Sequence, residues 1–145
     1  MTYEEWFLNQ AKLHETIMKK LENRTADEIV EYFKYENMKI NEPDFCPLYT
    51  LNKKCHEMEN LNCYLCACPY FRFNDSGLKK VNNKVLFSYC SIDSKTGAKF
   101  ESENSIHHDC SNCTIPHKEK FIKKNFSKDW LKIMKDVRVD KNNQV

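Results

Sequence analysis

One stretch decides the fold of this chain, Cys110-Ser111-Asn112-Cys113-Thr114-Ile115-Pro116-His117, and an earlier run, Cys63-Tyr64-Leu65-Cys66-Ala67-Cys68, repeats its main feature. Each run contains a Cys-x-x-Cys pair, and a tight turn at that spacing points both side chains toward one ion. Structural zinc sites use this spacing, and iron–sulfur clusters use it as well. The sequence therefore predicts a metal-binding domain.

The cysteine content and the first residues predict the compartment. The chain has 145 residues with eight cysteines, and residues 1–6 are acidic and polar, unlike an export signal. In a reducing cytoplasm, clustered thiols usually hold metal and disulfides are rare. The alternative is an exported form in which the even number of cysteines forms disulfides, but it would leave His117 without a role. No apolar run approaches the roughly 18 residues of a membrane span, so we expect a cytoplasmic protein with no membrane partner.

The candidate metal ligands outnumber the four that one zinc ion takes. They are Cys46, Cys55, His56, Cys63, Cys66, Cys68, Cys90, Cys110, Cys113 and His117. We therefore predict two Zn²⁺ per chain, and the alternative is one [4Fe-4S] cluster plus Zn²⁺. The predicted partition puts the two closely spaced pairs, Cys63/Cys66 and Cys110/Cys113, in one ribbon-like site. The remaining four cysteines form the other site, with His56 or His117 in place of one of them.

Some of these residues have a second interpretation. Cysteine is a common core residue, so the alternative for Cys46 and Cys90 is that they pack in the core and bind no metal. His56 directly follows Cys55, and adjacent side chains seldom bind one ion. His117 has the alternative of capping the helix predicted to follow it.

Residues 1–44 predict a helical hairpin. The apolar side of the first helix recurs at spacings of three and four, at Phe7, Ala11, His14, Met18 and Leu21. On this stripe, His14 is predicted to lie at the edge of the core. The second helix is predicted to begin at Thr25, where Glu28 completes a capping box, and Pro43 ends it.

Residues 45–117 contain every cysteine of the chain. Their sequence predicts short strands and loops that are stabilised by bound metal. Turns are predicted at residues 74–77 and 93–97, and a strand at residues 84–89 that runs into Cys90. His107 and His108 are predicted to be exposed, or to orient a thiolate by a hydrogen bond. Residues 118–145 predict a basic C-terminal helix. The predicted class is therefore α+β, a small metal-stabilised domain flanked by an N-terminal helical hairpin and a C-terminal helix in one compact unit.

Charge is distributed unevenly along the chain. Residues 1–44 carry six Lys/Arg against ten Asp/Glu, a net of −4, and residues 118–145 carry nine against four, a net of +5. A basic tail can bind nucleic acid or an acidic partner. We prefer an amphipathic helix with a solvated lysine face that docks on the acidic N-terminal helices. Because the tail lacks the interleaved exposed aromatics of single-strand binders, we expect a protein partner rather than nucleic acid.

The cysteine pattern resembles that of the cysteine-rich small domain family of bacteria and archaea, whose members are regarded as metal-binding proteins. The resemblance rests on residues 62–70 and 109–117 and covers roughly residues 45–120. One departure is a longer stretch between these two blocks. Some relatives are associated with cobalamin biosynthesis, so the resemblance implies an accessory role in cofactor synthesis as one alternative.

The same resemblance implies ligand roles for single residues. The family has an upstream Cys…Cys-His element, which Cys46, Cys55 and His56 match, and an intermediate cysteine, which Cys90 matches. Ser91 follows Cys90 where relatives tend to have glycine.

Three classes of function compete. A structural metal module is favoured, because full thiolate coordination leaves no open position for a substrate water. A redox protein with an iron–sulfur cluster is the alternative, because three closely spaced thiolates and a distant fourth suit a cluster. An enzyme is not expected, since the His-x-Glu and Pro-Cys-x-x-Cys pattern of zinc deaminases is missing from the sequence.

Overall fold

The computed structural model describes residues 1–140 and shows a mixed α+β fold, which confirms the predicted class. A metal's role in stabilising it stays a prediction. The helices are α1 (Tyr3–Lys20), α2 (Ala26–Tyr32), α3 (Tyr35–Asn41), α4 (Pro47–Thr50), α5 (Glu119–Lys124) and α6 (Trp130–Ile133), with a 3-10 turn at Ile115–His117. The strands are β1 (Phe71–Phe73), β2 (Lys79–Val81), β3 (Lys84–Leu86), β4 (Ser88–Cys90), β5 (Ala98–Glu101) and β6 (Ser105–Asp109).

Capping boxes begin the first two helices. The predicted box is present at Thr25, whose hydroxyl accepts from the Glu28 N–H while the Glu28 carboxylate accepts from the Thr25 N–H. A second box at Thr2 and Glu5 begins α1. Asp75, which is distant in sequence, also stabilises the first turn of α1. Its two carboxylate oxygens accept hydrogen bonds from the backbone N–H groups of Tyr3 and Glu4, at 2.8 and 2.9 Å.

The predicted hairpin is wrong in one respect, because the second helix is divided. The chain leaves the helical path between α2 and α3, where Lys34 pairs with Asn62 in an isolated bridge. The Cys63 N–H donates to the Phe33 carbonyl, and the Tyr35 N–H donates to the Leu61 carbonyl. This pairing fixes the first cysteine knuckle against the N-terminal helices.

Within residues 1–140 the strands form two small sheets, and Cys90 lies in one of them. One is the antiparallel pair β1–β4, and the other has the order β2-β3-β6-β5 with β3 and β6 parallel. The single strand predicted at residues 84–89 is wrong, because the chain changes sheets at Phe87. The Phe87 N–H donates to Ile106 of β6, whereas its carbonyl accepts from Asn74 beside β1. The change of sheet brings Cys90, at the end of β4, close to the end of β6.

The predicted turns lie where expected. Gly77 closes the first turn, since its N–H donates to the Asn74 carbonyl at 3.0 Å. Its φ of +94° is in the left-handed region, and a Cβ there would lie 2.6 Å from a Val85 methyl carbon. Glycine is therefore required at this position for both reasons. The second turn closes with a hydrogen bond from the Gly97 N–H to the Ser94 carbonyl.

The single C-terminal helix that we predicted is wrong, because residues 119–133 form two short helices. Helix α5 ends at Lys124, and α6 begins after Asp129, whose side chain accepts from the Lys132 N–H as an N-cap. The aspartate therefore starts a new helix rather than continuing the old one. Residues 141–145, the end of the predicted helix, lie outside the described part of the chain.

One main core joins all three predicted segments, with buried residues that include Phe7, Ile29, Tyr64, Ile122 and Trp130. His14 belongs to its centre, at 1% exposure, and not to its edge as predicted. Its ring stacks on Phe33 and Trp130, with centroids 5.0 and 5.4 Å away. Within residues 1–140, no helix combines the length and the apolar character that a bilayer span requires.

Candidate metal centre

Both Cys-x-x-Cys pairs form tight turns. The Cys66 N–H donates to the Cys63 carbonyl at 3.3 Å, and the Cys113 N–H donates to the Cys110 carbonyl at 3.0 Å. A turn of this kind brings two sulfurs to one side of the backbone, as structural metal knuckles require. All eight cysteines are free thiols, so the structure does not support the disulfide alternative.

The inner thiol group consists of Cys46, Cys55, Cys63 and Cys66. Burial raises the pKa of Cys63 to about 12, and the potential charges on Cys55 and Cys46 add to that shift. The pKa of Cys66 is raised by burial and then by all three other members. The four thiols therefore interact through their potential charges, although no three of their sulfurs lie within 4.8 Å of one another. A shared cation would offset the repulsion between the thiolates of this group.

The Tyr49 hydroxyl is a buried polar group beside the inner thiol group. It forms no hydrogen bond of ordinary geometry with any described residue. It lies against Cys63, where it favours the thiolate and lowers the thiol pKa against the larger effect of burial. Burial also raises the pKa of Tyr49 itself, so its hydroxyl keeps its proton and serves as a donor. A metal-bound Cys63 thiolate would give this orphaned donor its acceptor.

The outer thiol group consists of Cys68, Cys90, Cys110 and Cys113, and all four line one cavity. Burial raises the pKa of Cys110 to about 12, with the other three thiols adding to the shift. Burial likewise raises the pKa of Cys68 to about 11, with Cys90 and Cys113 contributing. The pKa shifts couple Cys63 and Cys66 to Cys46 and Cys55, and they couple Cys110 and Cys113 to Cys68 and Cys90. This coupling favours a different partition from the predicted one, and the ribbon-like site stays a prediction.

Cys113 differs from Cys68 and Cys110 in the direction of its pKa shift. Burial acts to raise its pKa, but the Ser94 and Thr96 hydroxyls, the Ile115 backbone N–H and the charge of Lys118 together outweigh burial and lower the pKa of Cys113. The Ser94 oxygen lies 3.4 Å from the Cys113 sulfur. The turn at residues 93–97 therefore prepares this sulfur to act as a thiolate.

His117 is buried beside the inner thiol group with its tautomer fixed. Its Nδ1 donates to the Asn62 carbonyl at 3.0 Å, which leaves the Nε2 lone pair facing the Cys55 sulfur at 3.7 Å. Burial lowers the pKa of His117, so the ring is neutral near pH 7. Zinc bonds of 2.3 Å to sulfur and 2.0–2.1 Å to nitrogen at a tetrahedral angle separate the two donor atoms by about 3.6 Å. The observed distance fits a shared zinc ion.

His56 lies next to the same sulfur. Its Nε2 is 3.1 Å from the Cys110 carbonyl, and its Nδ1 is 3.0 Å from the Cys55 sulfur. Among the described residues, Cys55, His56 and His117 form the group whose donor atoms all lie within 4.8 Å of one another. Because His56 also reaches Cys110, it connects the inner and outer thiol groups. The two groups are therefore neighbours rather than distant sites.

Three histidines differ from what the sequence predicts for them. The capping role considered for His117 is not what the structure shows, because α5 has no side-chain cap hydrogen bond. His107 and His108 are both partly buried, not exposed, and both line the cavity of the outer group. His107 bonds to the Tyr3 hydroxyl at 2.6 Å and not to a thiolate.

Sequence reasoning missed Asn62, which is fully buried. Its side chain donates to the Val30 carbonyl and accepts from the Tyr64 N–H, while its own carbonyl orients His117. Its position next to Cys63 was the available signal. A metal-bound histidine usually donates its second ring N–H to a carbonyl, so Asn62 fits the role of an orienting partner.

No family model, curated protein or solved structure matches this chain. The resemblance to the cysteine-rich small domain family therefore stays a prediction.

Proposed function

We propose that this chain is a cytoplasmic metal-binding protein that holds two zinc ions in adjacent Cys-rich sites, and that these ions are structural. The observation that carries the proposal is the group Cys55, His56 and His117, whose donor atoms lie within 4.8 Å of one another, with the His117 Nε2 3.7 Å from the Cys55 sulfur. Sites filled by protein donors leave no position for a substrate water. The metals would therefore hold the loops in place rather than catalyse a reaction.

The two proposed sites draw on different donors. The outer site takes the four sulfurs of the outer thiol group. The inner site takes Cys55 and His117 with two of Cys46, Cys63 and Cys66. Tyr49 and Asn62 would orient ligands of the inner site, as second-sphere partners do in zinc proteins.

The test is elemental analysis after anaerobic purification without a metal-binding tag. We expect two equivalents of zinc per chain in the wild type and about one in Cys110→Ser. The matched control is Ser111→Ala, whose side chain is exposed within the same turn, and it should keep both equivalents. One equivalent or none in the wild type would contradict the two-site proposal.

A redox role is the second candidate, and it applies to the outer thiol group. The cavity that its sulfurs line has a volume of about 810 Å³, more space than a single ion fills. Four thiolates are the ordinary ligands of a [4Fe-4S] cluster. A brown anaerobic preparation containing iron, with zinc reduced to one equivalent, would favour this candidate. A colourless protein with two zinc ions would exclude it.

For the partner, we propose another protein rather than nucleic acid. Helix α5 carries Lys123 within 3.6 Å of the Asp27 carboxylate on the N-terminal helices, so part of its basic charge faces acidic groups of the same chain. Phosphate contacts would make binding to nucleic acid fall steeply with added salt. We therefore expect no salt-dependent retention of the protein on single- or double-stranded DNA or RNA.

A further inference from the structure

A cleft of about 810 Å³ opens beside the outer thiol group, and it is larger than a single bound ion needs. It lies between the first turn of α1, the end of β3 and strand β6, with the outer sulfurs at one end. Its volume is within the 300–1,000 Å³ typical of pockets for cofactor-sized or drug-sized ligands. A structural metal alone needs no such space.

Aromatic rings supply much of the wall of the cleft. The lining includes Tyr3, Trp6, Phe71 and Phe87. Trp6 meets Phe71 edge to face, with centroids 6.4 Å apart. Phe87 stacks on the His107 ring at 5.1 Å and an interplanar angle of 9°. Rings that already support one another present flat apolar surfaces to a flat ligand.

A polar group is fixed among these rings. The Tyr3 hydroxyl lies 2.6 Å from Nδ1 of His107 and 3.0 Å from the Ser88 hydroxyl. Ser88 in turn accepts from the backbone N–H of His108 at 2.7 Å. Asp75 holds the backbone of Tyr3 through the first turn of α1. The phenol–imidazole pair is therefore positioned before any ligand arrives.

The charges around the cleft disfavour an anion. Its lining residues in the described chain include neither lysine nor arginine. The acidic lining residue Asp75 already accepts two N–H groups of α1. At the other end lie four sulfurs, which as metal-bound thiolates would carry net negative charge. An anionic ligand would therefore meet these negative charges with no lysine or arginine side chain in the lining to offset them.

We propose that this cleft binds an uncharged, planar, mostly aromatic molecule, with one polar atom hydrogen-bonded at the Tyr3–His107 pair. The proposal rests on the proposed function in one respect only, since the bound metal fixes the sulfur-lined end. The aromatic walls and the polar pair belong to α1, to strands β1 and β6, and to Phe87 between β3 and β4, and they do not depend on which metal is bound.

The test compares two probes that share one ring system. The neutral probe is N-phenyl-1-naphthylamine, and the anionic probe is its sulfonated analogue, 1-anilinonaphthalene-8-sulfonate. Each is titrated into the metal-loaded full chain, and probe fluorescence is followed. We expect saturable binding of one neutral probe per chain, at least about tenfold tighter than the sulfonate. Absence of saturable binding, or equal or tighter binding of the sulfonate, would overturn the proposal.

Variants locate the probe. Trp6→Ala and Phe87→Ala should each weaken neutral-probe binding about threefold to tenfold, because each removes an aromatic contact. Phe100→Ala is the matched control, since Phe100 is an exposed ring on β5 and does not line the cleft. It should bind the probe like wild type. Loss of binding only in Phe100→Ala would place the probe on the outer surface and overturn the proposal.

Metal content measured in the same samples separates the two proposals. Two metal equivalents without probe binding would overturn the cleft proposal and leave the metal proposal standing. Saturable probe binding with fewer than two equivalents would support the cleft and contradict the two-site metal proposal. Tyr3→Phe keeps the ring and removes the hydroxyl, so it should weaken the neutral probe a few-fold while metal content stays unchanged. Unchanged probe affinity in Tyr3→Phe would contradict the assigned hydrogen bond.

Discussion

At the scale of single residues, the chain prepares its donor atoms through neighbours that are not themselves donors. The Asn62 carbonyl holds the proton of His117 on Nδ1, which turns the Nε2 lone pair toward Cys55. The buried Tyr49 hydroxyl, which has no hydrogen-bond partner among the described residues, lies against Cys63 and favours its thiolate. Such partners fix the orientation of a ligand before the metal binds.

We expect His117→Ala to lose about one metal equivalent. The substitution removes the imidazole that lies 3.7 Å from the Cys55 sulfur, so a four-coordinate inner site would lack one ligand. Elemental analysis is the measurement, with His108→Ala as the control, because His108 is not part of the group whose donors lie within 4.8 Å. Full metal content in His117→Ala would show that sulfur alone completes the inner site.

Tyr49→Phe should weaken the inner metal without removing it. The ring stays in the core, and only the hydroxyl that favours the Cys63 thiolate is lost. Loss of a second-sphere partner typically lowers metal affinity roughly 10- to 100-fold. Competition with a zinc chelator of known affinity measures the change. Equal affinity in Tyr49→Phe and wild type would mean that the hydroxyl does not act on the metal site.

At the scale of helices and strands, several candidate metal ligands lie at the ends of elements. Cys90 ends β4, Cys110 directly follows β6, and Cys46 is the residue before α4. The N-terminus of α1 is held by its own capping box and by Asp75 from the turn after β1. Because Tyr3 stands in that first turn, the cap also positions the cleft.

Asp75→Ala should destabilise the protein by about 1 kcal/mol, which is the usual cost of losing a helix cap. The substitution removes the acceptor of two backbone N–H groups of α1. Urea unfolding followed by circular dichroism measures the loss of stability. Asp136→Ala, which changes another exposed aspartate, should alter stability by much less. Equal effects of the two substitutions would contradict the capping role.

Local signals in the sequence predicted the elements that local interactions make. The box at Thr25 and the turn at Gly77 follow from side-chain and backbone hydrogen bonds a few residues apart. The break at Phe87 could not be predicted this way, because it depends on pairing with Ile106 of β6 and with Asn74 beside β1. The grouping of the thiols likewise depends on residues that are distant in sequence. The spacing of cysteines in the sequence identifies those that form a tight turn. Which of these turns lie close together depends on the packing of strands that are distant in sequence.

At the scale of the whole molecule, the main core and the candidate metal centre are continuous. Cys63 belongs to the buried core, and Cys46, Cys68 and Cys110 pack against it. The outer thiol group also joins β4 and β6, which belong to different sheets. Ions at these positions would tie the helical core to both sheets.

Removal of metal should therefore unfold residues 45–117 or lower their melting temperature sharply. Structural zinc contributes about 10–16 kcal/mol in finger peptides, which is comparable to the 5–15 kcal/mol net stability of a typical domain. Differential scanning calorimetry with and without a strong zinc chelator measures the effect. Cys110→Ser should cost more stability than His14→Ala. An unchanged melting curve after chelation would mean that metal is not structural here.

His14 should make the protein lose stability in mild acid, independently of metal. Burial among aromatic rings lowers its pKa to about 3, against 6.5 when unfolded. The unfolded chain therefore binds a proton below pH 6.5 that the folded chain does not bind until about pH 3, so stability falls as pH decreases through this window. Between pH 7 and pH 5 the loss attributable to His14 is about 2 kcal/mol, because the folded ring is still neutral at pH 5.

The variant His14→Phe isolates this effect, since it keeps a ring between Phe33 and Trp130 and removes the titrating group. Protonation of the thiol ligands also weakens metal binding in acid, but it does so equally in both proteins. The measurement is urea unfolding of wild type and variant at pH 7 and pH 5, in the same zinc-containing buffer. We expect wild type to lose about 2 kcal/mol more than His14→Phe over this interval. Equal losses would show that the folded protein protonates His14 as readily as the unfolded chain, and that its ring is not held neutral in the core.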